Sequence, residues 1–227
     1  MGAQSSAPAD AVAAPEAWGT DRGLQSTLDG SSVSDLDDAL IEAVADGDAE
    51  ATAALLTAGA NVNHLSVENE LASPVILASQ EGSLDCLTLL LKVAHVELDR
   101  AARFGLTASH MAAHWDRSDC LHALLEAGAD VSLQAKGAGT AAHIAAARDS
   151  EASLLVLLAH GVSPDALDAE GRSVYEAAVR CGSDRCVARL DEWDDLHRPA
   201  AEACRVRRPQ CRGEREALHQ ACGTSDA

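Results

Sequence analysis

The chain has 227 residues, with 36 acidic against 17 basic side chains and a formal charge of −19, a balance that argues against a nucleic-acid partner, because phosphate affinity comes from clustered Lys and Arg. Alanine fills 47 positions and only five residues are aromatic (Trp18, Phe104, Trp115, Tyr175 and Trp193), so the expected core is thin and built from small residues on closely packed helices. No apolar run approaches the roughly 20 residues of a membrane span.

Residues 1–34 carry Gly, Ser, Pro, Ala and Asp with almost nothing to bury, and read as a disordered N-terminal segment. They hold no apolar signal-peptide core and too many acids for a mitochondrial transit peptide. Their first residues, MGAQSS, fit a myristoylation signal with Gly2 as the lipid acceptor. One myristoyl chain gives only marginal, reversible attachment, and the acidic surroundings supply no second membrane signal. Helical periodicity begins at Ser34-Asp35-Leu36, read as an N-cap and an acidic first turn.

From there the chain repeats. Ala43, Ala78, Ala112, Ala145 and Ala178 recur every 33 to 35 residues. Each is followed by a Gly or Asp (Gly47, Gly82, Asp116, Asp149, Gly182), and then by an apolar pair such as Leu55-Leu56, Leu90-Leu91, Leu124-Leu125 or Leu157-Leu158. Such a period marks a solenoid. Each copy reads as a helix, a tight turn, a second helix and a loop. The turn needs a residue that tolerates the left-handed conformation, which Gly does freely and Asp tolerably. No single copy can bury its own apolar face, so stability must come from stacking.

The phrases SPVILA (73–78), TASHMA (107–112), TAAHIA (140–145) and the degenerate SVYEAA (173–178) resemble the T-P-L-H-x-A box of ankyrin repeats. GSLDCLTLLL (82–91) is similar to that family's second-helix phrase. The resemblance covers about 155 residues in five copies, the first of which, with DALIEA (38–43), has lost the box and reads as a terminal cap. It departs from the family where Pro74 is the one surviving box proline and where Asp replaces the turn glycine in copies three and four, which lowers the expected stability of single copies. It implies an all-α ankyrin-repeat solenoid with short β-hairpin loops over residues 35–195, flanked by disordered N- and C-terminal segments, the latter an Arg- and Cys-containing tail (196–227).

Several side chains could be mistaken for chemistry. His110 and His114 stand four apart in HMAAH, as a metal pair on one helix face would, but no general-base Glu accompanies them. The resemblance instead gives His110 and His143 a backbone hydrogen bond between repeats. Cys86, Cys120 and Cys186, with Ser153, share one register and are expected as small core residues, neither disulfides nor nucleophiles. With seven cysteines, an odd number, reduced thiols in an intracellular compartment are the expectation. In the tail, His197, Cys204, Cys211, His219 and Cys222 lack the spacing of known zinc knuckles, RVRRP (205–209) is a short basic run, and PAAEACRVRR (199–208) only weakly suggests a SOCS box. No metal and no cofactor are expected.

The resemblance also implies a concave groove formed by the loop tips and the exposed side of the first helices. That frame places Arg103, Phe104 and Lys136 at loop tips, and Gln80, Glu81, His114, Trp115 and Arg148 at first-helix ends. Aromatic residues beside Arg are the usual chemistry of an interface centre. The sequence thus reads as a non-catalytic adaptor: a cytoplasmic monomer, with the nucleus also open to it, that binds another protein through this groove. Three alternatives stay open: a membrane-tethered regulator lipidated at Gly2, a zinc-binding tail with a redox or structural role over residues 194–227, and a ubiquitin-ligase substrate adaptor.

Overall fold

The structure, a computed structural model, describes residues 33–66 and 72–197. Among them ten α-helices form five successive hairpins: α1 (Val33–Ala45) with α2 (Ala49–Ala58), α3 (Pro74–Glu81) with α4 (Leu84–Leu91), α5 (Ala108–His114) with α6 (Ser118–Glu126), α7 (Ala141–Ala147) with α8 (Glu151–Ala159), and α9 (Val174–Cys181) with α10 (Asp184–His197). First helices pack on first helices and second on second, giving two parallel layers. Gly2, most of residues 1–34 and the tail motifs lie outside the described residues.

The alanine register explains the close stacking. Ala43, Ala78, Ala112, Ala145 and Ala178 are all completely buried, and a side chain of one carbon lets neighbouring first helices approach nearer than larger residues would. The second layer is filled by Leu87, Leu90, Leu121, Leu124, Leu154, Leu157 and Leu190. In the first hairpin, Leu55 and Leu56 are only half-buried, because among the described residues no hairpin covers their outer side.

Turn chemistry follows the sequence. Gly47, Gly82 and Gly182 have φ of 72°, 81° and 71°, and Asp116 and Asp149 reach 53° and 56° in the same position. The aspartates do more than tolerate the turn. Asp116 Oδ1 accepts from the Ser153 N–H at 2.9 Å, and Asp149 Oδ1 from the Cys186 N–H at 3.1 Å. Each caps the second helix of the next hairpin, satisfying a first-turn N–H that has no partner within its own helix. Asp149 also holds Arg185, its Oδ2 2.7 Å from Nε. Where the turn is Gly82, the Arg117 side chain of the next hairpin lies in the space a Cβ would fill, its Cδ 2.7 Å from that point.

The box residues cap the first helices. His110 Nδ1 accepts from the Thr107 N–H at 3.2 Å and faces the Thr107 hydroxyl at 2.8 Å, so the proton sits on Nε2, which donates to the Gly139 carbonyl of the following loop at 3.3 Å. Thr140 and His143 repeat the arrangement, with Nε2 donating to Arg172 O at 3.0 Å. In the degenerate fifth copy Ser173 and Glu176 form a reciprocal capping box instead.

Two expectations shift. Helix α1 begins at Val33, so Ser34 lies within its first turn and does not precede it, while Asp35 keeps the first turn acidic. The hairpin loops reduce, among the described residues, to single bridges at Ser66–Ala72, Ala135–Gly139 and Leu167–Ser173. The loop between α4 and α5 closes around a 3₁₀ turn at Arg103–Gly105 with the same backbone hydrogen bond as the next loop, Ala102 N–H to Leu106 O at 2.8 Å matching Ala135 N–H to Gly139 O at 2.8 Å.

Candidate partner-binding surface

Only the ends of the first helices escape burial in the middle hairpins, because Ala108–Ala113 and Ala141–Ala146 are enclosed by neighbours on both sides. The positions two and three residues beyond the register alanine therefore form the accessible edge of this layer, except at Gln80, which is buried. In the third hairpin these are His114 and Trp115, and in the fourth Ala147 and Arg148.

Trp115 is 42 % exposed, at the C-cap of α5. Its indole meets the His114 ring edge-on, with centroids 4.9 Å apart. His114 is half-buried, and neither ring nitrogen has a hydrogen-bond partner. Burial first, and the nearby Arg148 charge second, push its pKa down to about 4, which keeps the ring neutral.

Phe104 is the second exposed aromatic, 53 % accessible at the tip of the 3₁₀ turn. Its φ is 63°, in the left-handed region where a bulky side chain is strained by about 1 kcal/mol or more. The Arg103 guanidinium lies 4.8 Å from its ring centroid, within range of cation–π attraction. The Phe104 carbonyl accepts from the Lys136 N–H at 2.8 Å, which ties this tip to the next one. Lys136 and Arg148 are exposed and Glu81 is half-buried.

Gln80 departs from the sequence reading. It is only 5 % exposed and donates from Nε2 to Glu81 at 3.2 Å, so it does not face a partner. The cause is Arg117 of the following hairpin, which donates to the Gln80 carbonyl at 3.3 Å and closes over this end of α3.

The other chemistry-bearing groups are internal. His110 is engaged in its capping pair, and burial pushes its pKa down to about 4. Cys86, Cys120 and Cys186 are buried in one column with Ser153, and Thr52 completes the column in the first hairpin, its hydroxyl 3.6 Å from Cys86 Sγ. Burial pushes the Cys120 thiol up to about 11 and the Cys186 thiol to about 12, which suppresses the thiolate needed for reaction. Among the described residues no group of three or more His, Cys, Asp or Glu side chains could hold a metal ion, and no helix is long and apolar enough to cross a membrane.

Sequence reasoning missed three contributors. Asp46 and Cys181 occupy the Trp115 register in the first and last hairpins and are exposed; counting three from each alanine finds both. Thr52 lies 34 residues before Cys86, but a change of residue type hides the column.

Residues 40–135 match the family model for ankyrin repeats, in three copies. The chain is 32 % identical to chicken (Gallus gallus) inversin over 130 residues, covering 57 % of this chain and 12 % of inversin. It is 34 % identical over 146 residues to the chicken nuclear factor NF-kappa-B p105 subunit, covering 63 % of this chain and 15 % of that protein. Human (Homo sapiens) ankyrin repeat and SOCS box protein 11 is 32 % identical over 157 residues, 68 % of this chain and 46 % of its own length. The chain thus spans less than half the length of each of these curated relatives.

Proposed function

We propose, from the premise that this chain is an ankyrin-repeat protein, that it is a non-catalytic adaptor binding a partner protein on the face made by the loop tips and first-helix ends around the third hairpin. Ankyrin repeats in general mediate protein–protein interaction. The observation that carries the finer reading is the pair of exposed aromatics, Phe104 and Trp115, flanked by Arg103 and Arg148 on an otherwise Ala- and Leu-filled frame. Trp and Arg are enriched where binding energy concentrates.

The test is a Phe104→Ala/Trp115→Ala variant compared with wild type by affinity purification and by thermal unfolding. Loss of a captured protein with unchanged unfolding supports the reading. Equal capture with a lower Tm shows the aromatics to be core. The proposed setting is the cytoplasm, and the proposed state a monomer.

A second reading, a ubiquitin-ligase substrate adaptor, is favoured by the likeness to ankyrin repeat and SOCS box protein 11. It requires residues 196–227 to recruit elongin-type partners, which a pull-down with and without that tail decides. A reversible membrane tether at Gly2 is decided by the mass of the N-terminal peptide.

A further inference from the structure

Along the accessible edge the charge changes sign. At the Trp115 register the five hairpins carry Asp46, Glu81, Trp115, Arg148 and Cys181, and one position earlier Ala45, Gln80, His114, Ala147 and Arg180. Asp35 and Asp38, exposed on α1, extend the acidic end. Arg103 and Lys136 are exposed on the tips of the loops that precede the third and fourth hairpins, and Glu170, paired with Arg172 at 2.7 Å, on the tip before the fifth. On a chain of net charge −19 the sign change at Arg148 and Arg180 is therefore confined to the first-helix ends. A uniformly acidic partner would be repelled by the whole molecule, and a uniformly basic one would meet Arg148 and Arg180.

We propose, resting on the partner-face reading above, that this edge binds an extended segment of a partner protein that is acidic beside Arg148 and Arg180, apolar at Trp115 and basic beside Glu81 and Asp46. Stacked helices lie about 8–10 Å apart, and extended chain advances about 3.3–3.6 Å per residue. The partner's contact residues therefore fall roughly three apart, one for each hairpin. Complementary charge fixes which way the segment lies, and the aromatic centre supplies most of the affinity.

The probe is a synthetic peptide with glutamate at its first and fourth positions, leucine at the seventh, lysine at the tenth and thirteenth, and serine elsewhere. Two controls replace all four charges with glutamate or with lysine. Fluorescence anisotropy is expected to show the bipolar peptide binding about tenfold tighter than either control, with the preference shrinking as salt rises. An Arg148→Glu/Arg180→Glu variant, verified as folded by its unfolding curve, should lose about tenfold in affinity for the bipolar peptide and regain it for the lysine peptide. A spin label on the glutamate end should broaden the amide signals of Arg148 and Arg180, not those of Asp46 and Glu81.

Equal affinity for the three peptides, binding of none, or a label nearest Asp46 overturns the proposal. The underlying reading fails separately. If Trp115→Ala weakens the bipolar peptide and the charge reversal does not, the polarity is wrong and the face stands. If the charge reversal acts and Trp115→Ala does nothing, the aromatic centre is wrong.

Discussion

His110 carries a proton-linked share of the stability. Its neutral ring accepts from Thr107 and donates to Gly139, and burial holds the pKa at about 4 against 6.5 when exposed. The folded state therefore binds the His110 proton less readily than the unfolded chain. This contribution is complete above pH 6.5, and is lost as the pH falls from there towards 4. The shift corresponds to about 3 kcal/mol at most, and His143, lowered chiefly by burial, adds in the same direction. Urea midpoints measured at pH 7 and pH 4.5 should fall clearly at the lower value, and a flat profile would contradict the assignment. Asp149 responds lower on the scale. Burial opposes its charge, but hydrogen bonds from Arg185 and the Cys186 N–H outweigh that and hold its carboxyl below the usual range, so its share persists to more acid pH. Asp149→Ala removes the cap and leaves a left-handed turn, and should cost about 2 kcal/mol. Asp149→Asn keeps an acceptor and tolerates the turn, and should recover part of the loss in the same melts. The sequence alone exposes the turn requirement at Asp116 and Asp149, and from it a weaker copy is expected. The compensating caps are invisible there, because their partners are backbone N–H groups 37 residues away, and any residue supplies an N–H. Gln80 is misread for a related reason: nothing in its own helix announces that Arg117 will close over it.

At the scale of the helix, position in the row decides what an apolar side chain contributes. Leu124 in α6 is fully buried between α4 and α8, whereas Leu55 in α2 has one neighbouring hairpin and stays half-buried. Leu124→Ala should therefore cost about 3 kcal/mol and Leu55→Ala about 1 kcal/mol, compared by chemical denaturation with unchanged m-values. The helices themselves are readable from the period-33 alanines and the leucine pairs, since both registers are set by burial against a translated copy. Their exact starts are less so. Helix α1 runs one residue beyond the expected cap, a difference within the one or two residues by which helix ends are defined. The loop before α5 carries Phe104 at a left-handed position that Gly137 fills in the next loop, with φ of 63° and 74°, and no short motif marks a phenylalanine there.

For the molecule as a whole, stability is a sum over neighbours and is lowest where neighbours are missing. Amides of α2 should exchange with solvent before those of α4 and α6, which native-state hydrogen exchange reads directly; uniform protection along the chain would contradict the stacked account. The last hairpin is tied to the fourth by Arg185 on Asp149 at 2.7 Å and Arg189 on Glu151 at 2.6 Å, as the first is tied to the second by Asn63, which donates to the His95 carbonyl at 2.8 Å and accepts from the Glu97 N–H at 2.9 Å. The position of the candidate face follows from the same geometry: enclosed first helices leave only their C-terminal ends and the loop tips in solvent. That much is legible from the family resemblance. The change of charge sign along the edge emerges only when the five hairpins are placed side by side.

The aspartate turns also bear on how such an array can be rebuilt. Asp149 works because the next copy offers Arg185 and a free helix-end amide at the right place, while Gly82 works because the next copy sends Arg117 across it. Each copy is matched to its successor, so the five are not interchangeable bricks. A gene in which the second and fourth copies trade places would keep every residue, yet it would force Arg117 onto an aspartate and leave Arg185 facing a bare glycine.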